Sequence, residues 1–207
     1  NCTIQRPTRT ALTTFYGSLI QYAEGLLFEG NVIQKPFDGS PSNANTAIGA
    51  YILYNSAGGG ANPNIVRNNI VRDMRSNGPL YGMQIIYLDG YVYHNTISLD
   101  HTGSTYTGAT YGLYCYGQAG MPIDMSNNLV TISRGGSGTK YGFYGAITGN
   151  HTSSNNNYFL PATNTYVASY NGIHSTIASI QGQGIEQNSI SMDPMYANLV
   201  TGDLHPT

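Results

Sequence analysis

The sequence predicts an all-β fold, a solenoid of about six stacked coils, and three observations carry that prediction. An aromatic or aliphatic residue, then Gly, then a strand-like run recurs with its glycines at 17, 49, 82, 112, 142 and 172, at intervals of 32, 33, 30, 30 and 30 residues. A second step consists of Asn, a small polar residue and an apolar one. That apolar residue follows each glycine by 15 to 21 residues. The segments between are short, rich in Tyr, Ile, Val and Thr, and broken by Gly, Asn and Pro clusters, with no sustained helical period.

The first step predicts a strand in every coil. Its clear copies are Tyr16-Gly17, Ile48-Gly49, Tyr81-Gly82, Tyr111-Gly112 and Tyr141-Gly142, and Asn171-Gly172 is a weaker sixth. Alternate strand residues face opposite sides. With the glycines aligned, Ala50, Met83, Leu113 and Phe143 form one inward column, and Ile52, Ile85, Cys115 and Gly145 the next. Between them lies an outward column of Tyr51, Gln84, Tyr114 and Tyr144. Coils in such a stack lie about 4.8 Å apart, so like residues pile on like.

The second step predicts a stacked corner. Its copies begin at Asn68, Asn95, Asn127, Asn156 and Asn188, with Gly30-Asn31-Val32 as a degenerate first. Asn tolerates the left-handed conformation of a sharp corner, and its amide can bond backbone and the next Asn. A period near 30 also suits helical solenoids, but the local pattern excludes them, and propeller blades are longer.

Composition narrows the function classes. Charged residues make up 9% of the chain, hydrophobic ones 40%, with 26 Gly and 18 Tyr. That combination buries a core beneath a polar, uncharged skin and does not describe a disordered chain. The formal charge is −2 with no basic run, which excludes a nucleic-acid footprint. No apolar stretch is long enough to insert in a membrane. The chain begins Asn1-Cys2, which reads as a processed or excised chain. Residues 1–14 are expected to be an N-terminal cap or a lead-in from a preceding domain, and residues 15–207 the β-helix. Cys115 is expected as a buried apolar thiol, and its pairing with Cys2 stays open. The sequons at Asn1 and Asn150 are chance-level matches in an Asn-rich chain.

These repeats resemble the right-handed parallel β-helix proteins, the architecture shared with pectate lyases. The Asn-Asn-[Ile/Leu]-Val steps at Asn68–Val71 and Asn127–Val130 carry the likeness. So does the tail, Asp193-Pro194-Met195-Tyr196-Ala197-Asn198 and then Gly202-Asp203-Leu204-His205, which is similar to the closing segment of such domains in secreted bacterial surface proteins. The resemblance implies a right-handed parallel β-helix that is a window of a longer secreted or cell-surface protein. It says little of activity, since the fold hosts lyases, hydrolases, adhesins and stalks.

Two side-chain sets are candidate sites. Asp73 and Asp100 both lie three residues past an aliphatic anchor and are expected to stack, with Arg75 and Arg134 two residues further on and Arg72 and His101 adjoining. Such a cluster could hold Ca²⁺, place a raised-pKa acid beside an ionised partner, or grip a uronate carboxylate. It equally suits a surface salt-bridge ladder. The Tyr51, Tyr114 and Tyr144 column could stack sugar rings or simply stabilise the sheet. The five His show no metal-ligand spacing, and no nucleophile elbow, zinc-helix motif or phosphate loop exists. Gly58-Gly59-Gly60 and Gly135-Gly136-Ser137-Gly138 read as loops between strands.

The expectation is therefore a non-catalytic extracellular module acting in adhesion, glycan contact or as a spacer, without a required cofactor. Its partners would be a polysaccharide or cell-surface glycan, another surface protein, and neighbouring domains. The alternatives are a polysaccharide lyase or glycoside hydrolase working around Asp73, Asp100, His101 and Arg134, and a filament or partner-docking subunit.

Overall fold

The computed structural model describes residues 1–56, 62–147, 151–198 and 203–206. The chain is a parallel β-solenoid of about five turns, with three sheets running along its length. Sheet 1 contains Phe15–Gln21, Ala47–Asn55, Leu80–Leu88, Thr110–Gly117, Lys140–Ile147 and Thr165–Ser169 in parallel, with Ile173–His174 added antiparallel. Sheet 2 contains Leu27–Glu29, Asn64–Arg67, Gly90–Tyr93, Ile123–Ser126 and His151–Ser154. Sheet 3 contains Thr3–Gln5, Val32–Gln34, Ile70–Val71, Thr96–Leu99, Leu129–Ile132 and Asn157–Phe159. Each turn visits the sheets in that order. Within the expected lead-in, Thr3–Gln5 is thus a solenoid strand, paired in parallel with Val32–Gln34. Gly58-Gly59-Gly60 and Asn150 lie outside the described residues.

The inward columns stack as the sequence predicts: Ala50, Met83, Leu113 and Phe143 in register, then Ile52, Ile85, Cys115 and Gly145. All except Gly145 are buried. Phe143 fills the space that a side chain at Gly145 would need, a large-small exchange that keeps the core full. Burial pushes the Cys115 thiol up to about 12, so it is an inert core residue. Cys115 and the exposed Cys2 are both free.

The glycine column is steric in origin. A Cβ on Gly112 would collide with Val130 Cγ1 and lie 2.7 Å from the Gly142 carbonyl oxygen. Gly17, Gly49 and Gly82 each meet the next glycine's carbonyl and a sheet 3 side chain in the same way: Ile33, Val71 and Ile97. A Gly112→Ala variant is expected to lose about 1–3 kcal/mol by overpacking, read from its denaturant midpoint.

The sixth glycine step is where the coil count falls short of six. Asn171 and Gly172 take positive φ, and Ile173–His174 turns back antiparallel along Thr165–Ser169. The last parallel strand uses Tyr166-Val167 in place of Tyr-Gly, with Tyr166 in register with Tyr141. Gly172 therefore belongs to the cap. The cap continues through the short helix Ile177–Gln181 and a segment bridging sheets 2 and 3 at Gln187 and Ile190. The tail motif closes as an antiparallel hairpin, Tyr196–Asn198 with Asp203–Pro206, and the Tyr196 hydroxyl lies 3.0 Å from Thr131 Oγ1.

The asparagine corner splits into two columns where the sequence suggests one. Gly30, Asn68, His94, Asn127, Asn155 and Asn188 take the left-handed conformation. The next residues, Asn31, Asn69, Asn95, Asn128 and Asn156, carry the amide ladder. Asn95 and Asn156 stack as expected. Asn68, Asn127 and Asn188 do not join the ladder, because they supply the bend one residue earlier. Each interior ladder amide donates to the next Asn Oδ1 and to a carbonyl of the preceding coil's sheet 2 strand, as Asn128 does to Asn156 Oδ1 at 3.2 Å and Val92 O at 2.9 Å. Its own Oδ1 accepts the backbone N–H and side-chain amide of the preceding Asn. The ladder ends on Glu186, a fully buried carboxylate that accepts from Asn156, Ser153, Ser189 and Tyr158.

Candidate functional site

The outer face of sheet 1 is a field of tyrosines. Leu19, Tyr51, Gln84, Tyr114, Tyr144 and Ser169 occupy one column in register. A second column three positions earlier holds Tyr16, Ile48, Tyr81, Tyr111, Tyr141 and Tyr166. The conserved spacing of the Tyr-Gly step thus builds a ladder of its own, which the sequence displays but which reads there only as a strand marker. Ring centroids are 4.9 Å apart for Tyr81 and Tyr111, 5.7 Å for Tyr111 and Tyr141, and 5.9 Å for Tyr141 and Tyr166, all stacked. Tyr114 and Tyr144 stack at 5.1 Å and 6°.

The two columns also interlock. Tyr111 meets Tyr114 edge-on at 5.1 Å, and Tyr141 meets Tyr144 at 5.5 Å. Outward residues three apart touch because the strand alternation slips at the glycine between them, where Leu80 and Met83 are both buried and Tyr81 and Gln84 are not. Tyr51 sits apart from this group and stacks on Tyr16 at 5.8 Å.

The face carries no charge. Between Tyr16 and Gln21, and at the positions paired with them in the next five strands, the outward residues are Tyr, Leu, Ile, Gln, Ser and Ala. Lys140 stands in one of these strands but its side chain is buried, its Nζ donating to the carbonyls of Gly136, Gly138 and Thr163. Burial and the neighbouring phenols push Tyr111 and Tyr114 up to about 12, so the rings stay neutral across the working range of pH.

The second candidate set is partly dispersed. A cleft of about 350 Å³ is lined by Pro41, Arg75, Asp100, His101 and Thr102. Burial, and then the nearby Asp73 carboxylate, raise Asp100 above the usual range for an aspartate. His101 accepts no proton easily, since burial lowers its pKa, and its Nδ1 donates to Ser76 O at 3.2 Å. Sheet 3 pairs Val71 with Ile97, one residue out from the aligned aliphatics, so Asp73 and Asp100 are near neighbours without sharing a column.

Arg134 is not part of that cleft. The ladder continues from Ser133 N to Leu99 O and from Gly135 N to His101 O, which sets Arg134 beside His101. Its side chain is buried, with Nη1 donating to Thr110 Oγ1 at 2.6 Å and Nη2 to the carbonyls of Ser76 and Gly78 at 2.7 and 2.8 Å. It also lies over the Tyr106 ring, 5.1 Å from its centroid. A guanidinium committed in this way cannot grip a ligand carboxylate. Among the described residues no group of three or more His, Cys, Asp or Glu could hold a metal ion.

Asp100 gives a test with a definite sign. Its folded-state pKa is raised, so between the ordinary aspartate range and that raised value the native state holds a proton the unfolded state has lost. Stability falls as pH rises through that window and stays reduced above it. Asp100→Asn is therefore expected to raise Tm at pH 7, with no gain below pH about 3, as thermal melts across pH will show.

The class of protein defined by this fold is a parallel β-solenoid repeat protein. Comparison with protein-family models, with curated proteins and with solved structures found no match.

Proposed function

We propose that the chain is a non-catalytic extracellular module that contacts glycans through the tyrosine field of sheet 1. The observation that carries this reading is the field itself, two interlocked columns of half-exposed, uncharged rings on a rigid sheet. Each Tyr offers an apolar ring edge and a hydroxyl at low entropic cost. Stability alone needs fewer rings than this. In a glycan-array screen the domain is expected to bind without releasing product, and Tyr114→Ala is expected to weaken binding at least tenfold. Product release from any bound glycan would overturn the non-catalytic reading.

One observation favours a second reading. The cleft sets the Asp100 carboxyl, its pKa raised by burial and Asp73, next to the His101 imidazole, its pKa lowered by burial, two side chains of the kinds that serve as general acid and base. A lyase or hydrolase there predicts turnover that Asp100→Ala and His101→Ala each abolish while leaving the fold intact. Turnover unaffected by both would remove it.

A further inference from the structure

We propose that the tyrosine field selects a neutral, extended polysaccharide, laid along the solenoid axis and held through rows of phenolic hydroxyls, and excludes acidic glycans. This rests on the glycan-contact reading above and names its ligand class.

The first support is electrostatic. The outward positions of sheet 1 from Tyr16 to Ser169 include no cation. An acidic polymer would lay one carboxylate per sugar on a face with nothing to pair it, and desolvating an unpaired charge is costly. Arg134 and Lys140 are buried and turned onto backbone carbonyls, and Arg6 and Arg9 share a cleft with Tyr16 at the first strand of the field, away from the rings of Tyr81 to Tyr166.

The second support is the state of the hydroxyls. Where the protein uses a phenol itself, it is bonded: Tyr93 to Arg67, Tyr158 to Glu186, Tyr196 to Thr131. The hydroxyls of Tyr81, Tyr111, Tyr114, Tyr141, Tyr144 and Tyr166 have no protein partner among the described residues. Each can donate one hydrogen bond and accept others, which matches the mixed donor and acceptor surface of sugar hydroxyls.

The third support is direction. Stacked rings cover one another's faces along the axis, at 4.9 to 5.9 Å per coil. These hydroxyls therefore recur from coil to coil along the solenoid between Tyr81 and Tyr166, and only a ligand that repeats along the same axis engages many of them together. A compact or branched headgroup reaches few.

The experiment uses the whole chain with soluble probes by calorimetry: β-1,4-gluco-oligosaccharides of two to six sugars, and oligogalacturonates of the same lengths, at low and high salt. Neutral probes are expected to bind with affinity that rises at least tenfold from two sugars to six, unchanged by salt. Tyr111→Phe with Tyr144→Phe, which removes hydroxyls and keeps the stacked rings, is expected to weaken the hexamer at least fivefold. Binding of the acidic series alone, weakened by salt, overturns the neutral selection and leaves the glycan-contact reading standing. Binding of neutral probes that the Phe pair does not alter overturns the hydroxyl rows. Silence of both series sinks this inference and the glycan-contact reading together.

Discussion

Replacing Arg134 with alanine is expected to destabilise the protein by about 3–5 kcal/mol, the cost of breaking a buried charged network. The side chain is 1% exposed. Its removal strands the Ser76 and Gly78 carbonyls and the Thr110 hydroxyl, opens a void and ends the contact with Tyr106. The loss should not be rescued by Arg134→Lys, because a single ammonium cannot span two carbonyls and a hydroxyl with the planar fork of a guanidinium. Equilibrium urea unfolding measures it. A loss below about 1 kcal/mol, the usual size for a surface position, would show that the arginine is solvated and free. Burial holds its pKa down to about 10, with the nearby Tyr106 phenol opposing the shift.

Asn128→Ala is the second large effect expected, at about 3–4 kcal/mol from several buried partners left unsatisfied. The substitution removes donors to Val92 O and Asn156 Oδ1 and the acceptor that serves both the backbone and the amide of Asn95. Asn127→Ala, one residue earlier, should lose about 1 kcal/mol, since it forfeits only tolerance of positive φ. The contrast between neighbours separates the two columns. Because coils couple mainly to their neighbours, the Asn128 lesion should also broaden the unfolding transition. Hydrogen exchange resolved by segment would place the break between the coils containing Asn95 and Asn156. Equal losses at the two positions would contradict the register of the ladder.

Much of the solenoid is legible in the sequence because each coil repeats the same steric problem. The glycine recurs where the next coil's carbonyl and a sheet 3 side chain leave no room for a Cβ. The inward columns follow from it by counting in twos. The asparagine register is less legible, since an Asn-Asn pair offers two candidates for one role. The signal that resolves it is His94, which fills the bend position ahead of Asn95 and marks the second residue as the ladder member. The turn of the sixth step into an antiparallel cap leaves no local trace beyond Asn171-Gly172, a pair fit for positive φ. The burial of Arg134 could not be read from spacing, because its partners are carbonyls 56 and 58 residues away. The second tyrosine column was visible throughout, hidden by its regularity as part of the repeat itself.

The central claim is that the outer face of sheet 1 is the ligand surface. Site-resolved NMR of the tyrosine rings, on adding the β-1,4-gluco-oligosaccharide hexamer, tests it most directly. The account predicts shifts at Tyr81, Tyr111, Tyr114, Tyr141 and Tyr144, with Tyr93, Tyr158 and Tyr196 unmoved. Unchanged rings across sheet 1, or perturbation confined to His101 and its cleft, would contradict it.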